Sequence, residues 1–127
     1  MKKYLYIIVG LAFLAGIVWL IKTPGKPSKY DQFAQCLGEK KAVFYGAFWC
    51  KHCQAQKALF GKAVKYLPYV ECSTPDGQGQ NGICNDKGIT TYPTWDFAST
   101  TSTTTDRVLG VVELEDLAEK TSCVLPE

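Results

Sequence analysis

Two cysteines stand three apart in Trp49-Cys50-Lys51-His52-Cys53, between a strand-like run and a helical pattern. Cysteines at that spacing serve metal ligation, an inert bridge, or reversible thiol–disulfide exchange. A structural zinc site asks for four N/S ligands, usually a second C-x-x-C or a histidine pair. The one histidine, His52, lies inside the motif and no second C-x-x-C exists, so no metal is assigned. A bridge between neighbours on one helical turn closes almost no loop entropy and would be a poor structural staple. Exchange is the use that fits best, and its nucleophile is a thiolate rather than a thiol.

The flanking segments must create that thiolate. Ala42-Val43-Phe44-Tyr45-Gly46-Ala47-Phe48 is apolar and aromatic enough for a buried strand, with Ala42–Ala47 as its expected extent. Gln54 to Leu67 carries Ala55, Ala58, Leu59, Ala63, Val64 and Leu67, the spacing of a helix packed on one face. Cys50 then falls at the open N-terminus of a helix. Free backbone N–H groups and the helix dipole stabilise an anion there. Cys53, one turn on, faces the same way and can close a disulfide with Cys50. In this reading Cys50 attacks and Cys53 resolves. Lys51 and His52 favour the Cys50 thiolate, and Trp49 shields the pair.

A second signal is Tyr92-Pro93-Thr94, a proline opening a strand-like run well downstream. The plain reading is an edge-strand proline. The alternative is a cis-proline beside the cysteine pair. It would turn the Tyr92 backbone toward Cys50 and leave its N–H and C=O to pair with a substrate strand.

The rest of the chain orders itself around these two points. Tyr4 to Ile21 is an uncharged apolar run fenced by Lys2, Lys3 and Lys22. At 1.5 Å per residue it reaches ~27 Å, close to the hydrocarbon thickness of a bilayer. It lacks a small-residue cleavage site before Lys22, so residues 1–22 read as a retained anchor rather than a cleaved signal. Trp19 and Tyr4 suit the two interfaces. Residues 23–29, TPGKPSK, read as a short linker, and residues 30–127 as one small domain. Lysines flank the apolar run on both sides, so charge does not orient it. Six cysteines point to an oxidising compartment and place the domain on the extracytoplasmic face. A net charge of +2 without a basic stripe argues against nucleic acid.

Within the domain, Ser28 and Asp31 suggest a capping box opening a helix through Phe33, Ala34 and Leu37 that stops near Gly38. The helix after the cysteine pair should run to Pro68. Tyr69–Glu71 reads as a second strand, Ser73 to Gly82 as a loop, and Ile83–Lys87 as a short helix closed by Gly88. Thr94–Phe97 and Asp106–Leu109 read as a hairpin whose tip is the run Ser99–Thr105. Glu113–Lys120 reads as a last helix, with Leu114, Leu117 and Ala118 facing inward.

Strand, C-x-x-C, helix and downstream Pro93 together resemble the thioredoxin superfamily. More closely, the stretches Tyr45–Cys50, Gln54–Lys57, Leu59–Gly61, Leu67–Cys72, Gly88-Ile89 and Tyr92–Trp95 are similar to the thioredoxin-like domain associated with bacterial vitamin K epoxide reductase homologues. The resemblance covers roughly Phe33 to Cys123. It implies a thioredoxin-like α/β fold, a central mixed sheet flanked by helices. It further implies a thiol oxidase that takes electrons from extracytoplasmic protein thiols and is reoxidised by a quinone-coupled membrane partner. Disulfide exchange needs no cofactor. Two departures stand out. The family usually has proline where this chain has Lys51, whose charge should favour a more oxidising pair. Thioredoxin also keeps a buried acid six residues before the first active-site cysteine, and here that position is Phe44.

The resemblance further implies a disulfide between Cys72 and Cys84. Cys36 and Cys123 are then the leftover pair, which the fold can bring together. Buried free thiols, or a relay of electrons through Cys72–Cys84, are the alternatives. For the protein as a whole, the rival readings are a reductase or isomerase fed from the membrane, and a Cu(I) metallochaperone binding through Cys50 and Cys53.

Overall fold

The structure is a computed structural model that describes residues 2–22, 26–98 and 105–127. Helix α1 spans Lys2–Lys22, and none of its apolar window is buried against the rest of the chain. It is long and apolar enough to cross a membrane. Part of the expected linker (23–25) and most of the expected hairpin tip (99–104) lie outside the described residues.

After α1 come α2 (Asp31–Glu39), β1 (Val43–Gly46), α3 (Lys51–Phe60), a 3₁₀ helix (Gly61–Tyr66) and β2 (Tyr69–Glu71). Next are α4 (Gly82–Asp86), β3 (Thr94–Phe97), β4 (Asp106–Leu109) and α5 (Leu114–Thr121). The strands form one mixed sheet in the order β2-β1-β3-β4. β1 runs parallel to β2, with Gly46 opposite Glu71, and antiparallel to β3. β3 and β4 are antiparallel neighbours. α3 is the crossover between the two parallel strands, so the end of β1 feeds directly into its N-terminus.

Strand alternation sorts side chains onto two faces. On one, Phe44 stacks on Trp95 at 5.0 Å and tilts against Tyr69 at 5.1 Å, beneath Phe33, Leu37, Phe60 and Leu117 from the helices. On the other, Tyr45 packs with Ile89 and with Cys72 and Cys84. Asp96, buried among apolar residues, is gripped by Arg107 at 2.6 and 2.8 Å. Arg107 also donates to the carbonyls of Lys87 and Gly88, which ties the β3–β4 hairpin to the segment leading into Pro93.

Several expectations are corrected. The helix after the cysteine pair does not run unbroken from Gln54 to Leu67. It ends at Phe60, because Gly61 takes a left-handed φ of 52° that only glycine adopts cheaply, and a 3₁₀ segment follows. Its inward face is also rotated from the one expected. Cys53, Gln56 and Phe60 are buried while Ala55, Ala58 and Val64 face outward. The spacing argument weighted small apolar residues and passed over Gln56, which can be buried because its amide both donates and accepts within the core. Gln56 donates to the Val112 carbonyl and accepts from the Val112 N–H and the Trp95 indole. α2 passes through Gly38 to Glu39, and the left-handed turn falls at Lys41. Half of its capping box forms, since Asp31 reaches back to the Ser28 N–H while the Ser28 hydroxyl accepts from Tyr30. β1 is one residue shorter at each end than the expected Ala42–Ala47, and Phe48 is half-exposed in the turn that follows.

Candidate active site

β1 ends at Gly46, and the chain turns through Ala47–Trp49 to bring Cys50 to the N-cap of α3. Its sulfur takes the place of the usual capping oxygen and accepts the Cys53 N–H at 3.2 Å. The same sulfur lies 3.7 Å from the Tyr92 carbonyl. The Tyr92–Pro93 peptide is cis. The two sequence signals, 42 residues apart, therefore meet at one atom.

The two sulfurs differ in environment. Cys50 is 7 % exposed and Cys53 0 %. Cys50 is thus less open than its place at the helix end suggested, because the Tyr92 backbone covers one side of it. Burial, and next the hydrogen bond to Cys50, push the Cys53 thiol well above the ordinary range. Cys53 also rests on the strand. A β-carbon on Gly46 would lie 2.9 Å from the Cys53 sulfur and 3.0 Å from the Tyr69 ring edge. Gly46→Ala should therefore push Cys53 off its seat. The expected result is a folded domain whose exchange rate falls about tenfold or more, a barrier change of about 1.4 kcal/mol. Circular dichroism and a disulfide-exchange assay would check it. Wild-type activity in the variant would show that the close approach is unimportant.

The wall of the site is the loop between Cys72 and Cys84, whose sulfurs are joined. The Trp49 indole donates to the Ser73 hydroxyl at 2.9 Å, and its ring meets Tyr92 edge-on at 6.0 Å. Trp49 is half-exposed and turned onto this loop. Gly77 packs beside Phe48 and Trp49. The Tyr92 hydroxyl donates to Gln80, whose amide donates to Asn85 and to the Ile89 carbonyl. Lys51 and His52 are exposed on the first turn of α3, and neither has a hydrogen-bond or ion-pair partner among the described residues. The remaining pair, Cys36 and Cys123, is joined far along the chain and belongs to the core on the α2 and α5 side.

Beneath the pair, Glu71 gathers three donors. Its carboxylate accepts the Phe48 N–H at 3.2 Å, the Ser73 N–H at 2.9 Å and the Tyr69 hydroxyl at 2.6 Å. Lys57 lies over the Tyr69 ring, 3.4 Å from its centre. Burial, and then the bond to Glu71, hold the Tyr69 hydroxyl in its protonated form well beyond the usual phenol range.

This arrangement, a helix-capping thiol, a buried partner thiol and a cis-proline opposite, sits in a domain that has a known family. The Thioredoxin family profile matches residues 26–122. The chain belongs to the thioredoxin family. It is also 42% identical over 100 residues to the thiol-disulfide oxidoreductase LTO1 of Arabidopsis thaliana. That match covers 74% of this chain but only 24% of the relative, so the chain spans about a quarter of the relative's length. A thioredoxin domain that holds Cys50 and Cys53 as a close pair of free, buried thiols has the parts for thiol–disulfide exchange.

Sequence reasoning named Cys50, Cys53 and the Tyr92–Pro93 segment but gave no role to Gly46, Tyr69, Glu71 or Gln80. Gly46 left a signal, since glycine inside a strand marks a close approach. Tyr69 and Glu71 lie in a stretch that carried the family resemblance, and their contact follows from alternation along β2, which puts both on one face. Gln80 left none.

Proposed function

We propose that the protein is a membrane-tethered thiol–disulfide oxidoreductase that oxidises dithiols of extracytoplasmic proteins through a Cys50–Cys53 disulfide. In each cycle a substrate thiolate attacks the Cys50 sulfur, the Cys50–Cys53 bond breaks, and Cys53 leaves and takes a proton. The second substrate thiolate then attacks the mixed disulfide, forming the substrate disulfide and releasing reduced Cys50. Two electrons have moved to the pair. A quinone-coupled membrane partner of the vitamin K epoxide reductase type would remove them through its own disulfide.

The observation that carries the chemistry is the Cys50 sulfur, held by the Cys53 N–H on one side and faced by the Tyr92 carbonyl on the other. Attack at Cys50 follows, because Cys53 is sealed against the strand. The Tyr92 backbone and the half-exposed rings of Phe48 and Trp49 give a substrate strand something to lie on. Two further cysteine pairs stand as disulfides, which supports an oxidising compartment and an anchor that leaves the domain outside the cytoplasm. The exposed apolar α1 supports the tether.

Direction is tested by the reduction potential of the pair, measured by equilibration against glutathione in the full chain. A value near −120 mV is expected of a disulfide donor, and one near −270 mV would mark a reductant and overturn the proposed direction.

A further inference from the structure

The segment that leads into the cis-proline is joined to the disulfide loop by one side chain, that of Gln80. Gln80 lies inside the loop closed by the Cys72–Cys84 bond, and its own backbone is fixed there. It bridges to Ser73, and its carbonyl accepts from the Asn85 side chain at 3.3 Å. The orientation of its amide follows from what surrounds it. Nε2 donates to the Ile89 carbonyl at 2.8 Å and to Asn85 Oδ1 at 2.9 Å, so both of its hydrogens are committed. Oε1 is left as the acceptor, and the Tyr92 hydroxyl donates to it. Burial, and next the Glu71 carboxylate, raise the Tyr92 phenol, which keeps it a donor.

One amide therefore grips both ends of the run from Ile89 to Tyr92. Thr94 reaches back to the Thr91 carbonyl at 2.7 Å, which shapes the same turn but does not join it to the loop. Past the proline, the Pro93 carbonyl accepts the Gly110 N–H at 2.8 Å, so the segment is held on its far side as well. A tyrosine has only two side-chain torsions, and fixing its hydroxyl goes far toward fixing its backbone. That backbone carries the carbonyl that faces the Cys50 sulfur. Exchange at Cys50 needs a thiolate and nothing more. An extended peptide also needs the Tyr92 backbone in one position, to pair with it as a strand, and a backbone set in advance lowers the cost of binding. We propose that Gln80 is a specificity-determining positioning residue, which presets the Tyr92 backbone through the Tyr92 hydroxyl and the Ile89 carbonyl and so favours extended protein thiols over small ones. This role rests on the exchange reading with Cys50 as the sulfur attacked.

The test reacts the oxidised full chain, in detergent micelles, with two reductants: an extended peptide carrying two cysteines, and dithiothreitol. Dithiothreitol has no backbone to lay along Tyr92. Gln80→Leu keeps the bulk and removes the amide. Tyr92→Phe deletes one oxygen and keeps the ring against Trp49, so it probes the same bond without altering the loop. The preference for peptide over dithiothreitol, as a ratio of kcat/KM values, should fall about tenfold in Tyr92→Phe, the upper end for one hydrogen bond. In Gln80→Leu it should fall at least as far, since the bond to Ile89 goes too. Both losses should appear in the peptide KM. The double variant should match Gln80→Leu alone, because the two changes remove one shared bond. An unchanged preference in either variant would overturn the role, including the case where both reductants slow together through a general loosening of the site. So would a double variant whose loss is the product of the single ones. A wild-type chain inert toward both reductants would instead sink the exchange reading itself.

Discussion

Cys53→Ser should accumulate mixed disulfides with its substrates, while Cys50→Ser should accumulate almost none and fall to background exchange. The asymmetry follows from where the two sulfurs lie. Cys50 caps α3 and is the one residue of the pair with any exposure, whereas Cys53 is buried against Gly46. A substrate sulfur can reach Cys50 and not Cys53, so removing the resolving thiol leaves the intermediate stranded. Non-reducing gels of cells expressing each variant, with identification of the trapped bands, read this out. A quinone reductase among the bands would support the proposed membrane partner. Equal trapping by both variants would mean a symmetric, solvent-open pair, more like a soft-metal site than an exchange site. Trapping by Cys50→Ser alone would reverse the roles.

The reach of sequence reasoning follows the range of the interactions involved. Cys50 and Cys53 were legible because strand, motif and helix are contiguous, and the spacing of a single turn says which sulfurs can meet. The joining of Cys50 to Tyr92 was legible through the resemblance, though not through spacing alone. The face of α3 was misread for a physical reason. Periodicity counts apolar side chains, and Gln56 is buried as a polar group whose hydrogen bonds are all made within the core. The break at Gly61 was missed because a glycine in a helical pattern is often tolerated, and only its left-handed φ makes it a stop. Glu71 is a strand residue inside the stretch that carries the resemblance, and neither reading gives it a role. Tyr69 and Ser73 lie two residues to either side of it, but the Phe48 N–H is brought to the same carboxylate only by the fold.

The two structural disulfides should fail in opposite ways. Cys36–Cys123 spans 87 residues of sequence and Cys72–Cys84 only 12. On the chain-entropy account the first contributes about 4.6 kcal/mol and the second about 3 kcal/mol by restricting the unfolded chain. For a domain of this size each kcal/mol moves Tm by roughly 4–8 °C. Replacing both Cys36 and Cys123 by serine should therefore lower Tm by roughly 20–35 °C, measured by calorimetry with the remaining bridge intact. Below its new Tm that variant should still exchange disulfides at nearly the wild-type rate, because neither sulfur touches the Cys50–Tyr92 wall. Replacing Cys72 and Cys84 should cost less, roughly 10–25 °C, yet impair exchange even in the folded protein. That bridge closes the loop whose Ser73 and Gln80 hold the Trp49 indole and the Tyr92 hydroxyl. Loosening it frees the backbone segment that faces the Cys50 sulfur. A Cys72/Cys84 variant with full activity would show that the loop is a passive surface. A Cys36/Cys123 variant that melts above it would show that native strain or residual unfolded structure, rather than loop length, sets the contribution of each bridge.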